Sequence, residues 1–136
     1  MRERQRVTEA IVGASLLSAA PSAVLSYRRH RALGPVVADL LEATRAVGTL
    51  LPARRPGLLR GALVHLGVSA ICGELLAHTL PQRHAVVWGA GGGLAIGVVN
   101  LALIGRRFPQ IRALPLAPQL ADNVAFGVVF ALIVDR

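Results

Sequence analysis

The stretch VVWGAGGGLAIGVVN, Val86 to Asn100, sets five glycines among apolar residues with no charge and no turn partner. In water that density reads as a loop, because glycine loses more conformational freedom in a helix than any other residue. In lipid it reads differently. Helices there have no hydrophobic drive to associate, so they rely on close approach at small residues and on polar contacts. Gly89, Gly93 and Gly97 are spaced by four and share one helix face, and Asn100 follows on that face one turn later. The spacing predicts a membrane-spanning helix with a packing seam of Gly89, Gly93, Gly97 and Asn100, a glycine zipper.

The flanking sequence repeats the apolar length. Val7 to Tyr27 carries only Glu9, Gly61 to Gln82 only Glu74, Ala85 to Gly105 no charge, and Ala113 to Val134 only Asp122. A helix rises 1.5 Å per residue, so about 20 residues cross the ~30 Å hydrocarbon core. The fold class expected is an all-α, polytopic membrane helical bundle, with spans near 7–27, 61–80, 85–105 and 117–134 in a single domain. Pro118 marks the first turn of the last span. Residues 35–51, PVVADLLEATRAVGTLL, differ: Asp39, Glu42, Arg45 and Thr49 fall on one side and Leu40, Leu41, Val47 and Leu51 on the other. They predict an amphipathic interfacial helix, opened by Pro35 in its first turn. The apolar run after MRERQR is read as a retained span, since the small residues Ser18-Ala19-Ala20 run straight into Pro21, a poor signal-peptidase site.

Composition agrees. Only 16% of the 136 residues are charged, against about a quarter in soluble domains. The net charge of +8 does not indicate a nucleic-acid partner, because the 15 basic residues, all arginine, sit between the apolar runs. With four spans, Arg28, Arg29, Arg31, Arg54, Arg55, Arg106, Arg107 and Arg112 share one membrane face. Arg2, Arg4, Arg6, Arg83 and Arg136 share the other, so the positive-inside rule predicts both termini outside. The lone Cys72 permits no internal disulfide.

Intramembrane polar residues are functional candidates by default. His65, Ser69, Asn100, Asp122 and Asn123 are expected near one membrane face, with Arg60 at the level of Asp122 as its partner. Glu9, Glu74, His78 and His84 form a second polar cluster at the other face. In the first set, His65 is expected to bond a backbone carbonyl or Asn100, and Asn100 to bond across helices. No hydrolase triad, phosphate loop, metal-ligand set or haem pair is present in the pattern, so no cofactor, no metal and no catalytic residue is predicted.

A short internal echo pairs Gly13 with Gly89 and Pro21 with Gly97, and pairs His65 and Ser69 with Asn123 and Gly127. It predicts two parallel halves of two spans each. The order of a glycine-bearing span, an amphipathic connector, GALVHLGVSA, VVWGAGGGLAIGVVN and QLADNVAFGVVFALI resembles small four-span bacterial membrane proteins of uncharacterised function. Their second span bears a histidine, as His65 does here, and their third opens on Trp-Gly-Ala, as Trp88-Gly89-Ala90 does. Asn123 stands where the last span of that family often has histidine. The resemblance implies a bacterial inner membrane and no activity. The function expected first is an accessory or self-assembling membrane subunit, in a homo-oligomer or larger complex within the lipid bilayer of the cell membrane. The alternatives are a small oligomeric transporter or channel with a polar site near Asn100, and an intramembrane enzyme or cofactor binder using His65, Glu74 or His78.

Overall fold

The computed structural model describes residues 2–52 and 57–135. Among the arginines that set the expected orientation, Arg54, Arg55 and Arg136 lie outside the described residues. The chain forms α1 (Arg2–Leu17), α2 (Ala20–His30), α3 (Leu33–Gly48), α4 (Leu58–Thr79) and α5 (Ala85–Val99). A π-helical turn, Asn100–Ile104, continues α5 into the short α6 (Gly105–Arg107), and α7 (Pro109–Arg112) and α8 (Leu116–Val134) follow. Four helical stretches are long and apolar enough to cross a membrane: Glu3–His30, Leu58–Thr79, Ala85–Arg107 and Leu116–Val134.

Helix ends follow local chemistry. Arg31 closes α2 in the left-handed conformation, with its N–H bonded to the Tyr27 carbonyl. Leu80 is extended before Pro81, as a residue preceding proline must be, and α4 stops there. Phe108 is extended before Pro109 for the same reason, which separates α6 from α7. Pro118 lies in the first turn of α8, where a missing N–H leaves no helical bond unmade.

The spanning stretches alternate in direction. Gly13 faces Ile133 and Ser22 bonds Asp122, so the first stretch runs antiparallel to α8. Gly89 lies on Gly127, and Gly97 on Asn123 and Leu120, so α5 is also antiparallel to α8. The buried core joins Ala10 and Ala14 of α1, Leu76 of α4, and Phe126 and Phe130 of α8. Outward faces remain apolar: Leu59, Ile71 and Val87 are 76%, 73% and 70% exposed. That is costly in water and favourable against lipid, which is what helices of this length and composition require.

The segment expected to be amphipathic is α3. It buries Val36, Ala46 and Gly48 and exposes Asp39, Glu42 and Arg45. It packs on α2 and α4 and is not among the stretches long and apolar enough to span. Its contact with α4 is close because Gly61 lies directly on the Thr44 carbonyl, and Gly48 on the backbone of Gly61 and Gly57.

Candidate functional site

The tightest helix pair is α5 with α8. Gly89, Gly93 and Gly97 are all buried on the α8 side. A Cβ at Gly93 would collide with the Asn123 carbonyl, and one at Gly89 with the Gly127 carbonyl. Reciprocally, a Cβ at Gly127 would collide with the Gly89 carbonyl. At Gly91, by contrast, a Cβ would meet nothing within 4 Å. This face of α5 is therefore filled by a helix of the same chain, and it is not free to receive a second copy. Gly127 supplies the other half of the contact, and only its place in the internal echo had singled it out.

Asn100 behaves differently from expectation. It is half-buried and opens the π-helical turn, where the Gly105 N–H reaches back to the Asn100 carbonyl. Its side chain makes no hydrogen bond among the described residues, so the expected interhelix bond is not formed. Asn123 directs its amide to the Gln119 carbonyl of its own helix, at 2.8 Å. Ser69 is buried on α4.

The polar chemistry converges instead on a break in the first spanning stretch. Pro21 lacks an N–H, so the Leu17 carbonyl loses the donor that a continuous helix would provide. The chain leaves α1 at Leu17 and re-enters helix at Ala20, with no side-chain cap from Ala19. The cap comes from α8, 100 residues away in sequence: Asp122 accepts the Ser22 backbone N–H at 2.9 Å and the Ser22 hydroxyl at 2.5 Å. A carboxylate is well matched to the exposed donors and positive dipole end of a helix N-terminus. On the other side of the break, the Ser15 carbonyl accepts the Ser18 hydroxyl at 3.3 Å. His65 Nε2 lies 3.3 Å from that same carbonyl. Because a carbonyl only accepts, this contact requires the proton on Nε2. The His65 side chain is otherwise exposed. One turn further along α2, the Ser26 hydroxyl donates to Asp39 of α3 at 2.6 Å.

Asp122 and His65 of the first polar set thus bond the first spanning stretch on either side of the break, at Ser22 and Ser15. The site adds Ser15, Ser18 and Ser22, which reading by apolar runs passed over; the signal was Pro21 followed by serine inside a span. Arg60 does not partner Asp122. Its guanidinium donates to the Pro52 carbonyl at 2.7 Å.

The second set is not drawn into one centre. Glu9 accepts from Gln5 at 3.0 Å, and His78 Nδ1 donates to the Glu74 backbone carbonyl at 2.7 Å, not to its carboxylate. Glu9, Glu74, His78 and His84 are exposed, and His84 precedes α5 in the left-handed conformation. Among the described residues, no group of three or more His, Cys, Asp or Glu side chains is arranged to hold a metal ion. No family model matches the chain, and neither a curated protein nor a solved structure shows significant similarity to it.

Proposed function

We propose that this chain is the subunit of a small oligomeric transporter or channel for a small cation, the proton included, with Asp122 and His65 as its working residues. The observation that carries the proposal is the interruption of the first span at Ser18–Ala19, which puts the carbonyl end of α1 next to the α2 N-terminus that the Asp122 carboxylate caps. At such breaks membrane transporters coordinate cations with the carbonyls of the half-helix C-terminal end, and ionisable side chains at membrane depth mark ion and proton paths. Asp122 supplies a carboxylate, His65 a titratable ring, and the Ser15 carbonyl a neutral oxygen. The polar site therefore moves from Asn100 to the break. The packing of Gly89, Gly93 and Gly97 within the chain removes the seam as an argument for self-assembly. The exposure of His65 supports an oligomer by another route, because an ionisable side chain at that depth needs water or a second copy beside it.

The test is cation and proton flux in proteoliposomes. Wild type conducts and Asp122→Asn, which preserves an acceptor for Ser22, loses most of the flux while remaining folded. Undiminished flux in that variant, or none in wild type, overturns the proposal.

A second reading, an accessory subunit, is favoured by the outward face of α4, where Leu63, Ile71, Glu74 and His78 are all exposed. Co-purification of a partner from mild detergent, lost on Glu74→Leu, would support it over transport. In either reading α3 lies along the membrane interface and the protein resides in a bacterial cell membrane with its arginine-rich end inside. The two-half repeat also belongs to this reading. Gly73 meets Ile11 in the first half where Gly89 meets Ala131 in the second, an approximate correspondence shifted by two residues.

A further inference from the structure

The arginine-rich end of the bundle holds a cleft that the transport site does not use. Tyr27, Arg28 and Arg31 line an open surface cleft at the end of α2. The left-handed turn at Arg31, closed by its N–H on the Tyr27 carbonyl, brings that residue back beside Tyr27 and Arg28. All three are exposed. The next acidic residue along the chain, Asp39, is engaged by the Ser26 hydroxyl. Arg106, Arg107 and Arg112 belong to the same end, since α5 runs antiparallel to α8 toward Asp122 and beyond.

Depth identifies the ligand. Ser22 is bonded to Asp122 within the last spanning stretch, and Tyr27 lies five residues further along α2. At 1.5 Å per residue that is roughly 7–8 Å nearer the end of the span. A tyrosine followed by arginines at this level is the arrangement of a membrane–water interface, and paired guanidinium groups match phosphate oxygens in geometry and charge. We propose that this cleft binds the phosphodiester headgroup of an anionic phospholipid. The inference rests on the membrane placement of the four stretches and is independent of cation transport.

Native mass spectrometry of delipidated protein, titrated with phosphatidylglycerol or phosphatidylcholine, tests it. Wild type should retain phosphatidylglycerol selectively. Each basic residue near a membrane surface is worth about 1 kcal/mol, so the double substitution Arg28→Ala, Arg31→Ala should weaken that retention by about thirtyfold. The matched removal of charge at the opposite end, Arg4→Ala with Arg6→Ala, should leave retention unchanged. Inorganic phosphate at the same concentration should fail to displace the lipid. Equal retention of both lipids, or unchanged retention in the Arg28, Arg31 variant, overturns the proposal. An equal loss in the Arg4, Arg6 variant does so too, and displacement by inorganic phosphate assigns the cleft to a free anion.

Discussion

Replacing Gly93 by alanine adds one carbon to the face of α5 that lies on α8. The new atom would meet the carbonyl of Asn123 and, at 3.1 Å, the Cα of Val124. Both obstacles are backbone, so no side chain can rotate aside. Relief requires the helices to part, and a gap of about 0.5–1 Å forfeits a quarter to a half of each dispersion contact along the seam. The loss expected is about 1–3 kcal/mol, the usual cost of overpacking a tight interior. Gly91→Ala provides the comparison, because it adds the same carbon where nothing lies within 4 Å. It should be neutral or more stable by up to about 1 kcal/mol, the helix preference of alanine over glycine. Leucine at the two positions should give the same order with a larger gap. Gly127→Ala should match Gly93→Ala, and the double variant should lose less than the sum, since both are relieved by one separation of the same helices. Reversible unfolding in mixed micelles, followed by helical circular dichroism, reads all of these. Equal stability of the Gly93 and Gly91 alanine variants would refute the one-sided seam.

Gly61→Ala should loosen α3 from α4, because its Cβ would collide with the Thr44 carbonyl; hydrogen exchange should rise across Leu33–Gly48, and unchanged exchange would contradict the contact. Asn100→Leu should alter stability by no more than about 0.5 kcal/mol in the same unfolding assay, since the amide has no hydrogen-bond partner among the described residues, and a larger loss would mean that it has one. Ser26→Ala removes a hydroxyl donor from Asp39 and should destabilise by about 1 kcal/mol, measured by thermal unfolding; a neutral result would mean that the α2–α3 link is idle.

How far the sequence was legible depends on the kind of signal. Long runs without charge locate helices without reference to any partner, because the length needed to cross lipid is set by the bilayer. Glycine spacing on α5 is likewise local and shows which side is narrow, yet it does not say what fills it. That the occupant is α8, through Gly127, depends on the antiparallel alignment of the two helices. The pairing of Asp122 shows the same limit. Depth alone put Arg60 level with it, but the start of α4 packs on α3 at Thr44 and Arg60 turns to the Pro52 carbonyl, while the break at Pro21 leaves the Ser22 N–H for Asp122 to accept. The break was readable as a proline within a span; its cap, contributed by a residue 100 positions away, was not.

The central claim is that Asp122 carries the backbone of the broken first span, and the most direct measurement is the hydrogen-exchange protection of the Ser22 amide. In wild type and in Asp122→Asn, which retains an oxygen acceptor, that amide should be protected as well as its neighbours deeper in α2. In Asp122→Leu the acceptor is gone, and Ser22 should lose protection while the α5–α8 seam around Gly93 keeps its own. A Ser22 amide equally protected in wild type and Asp122→Leu would show that its hydrogen bond goes elsewhere and that Asp122 does not cap the second half of the first span.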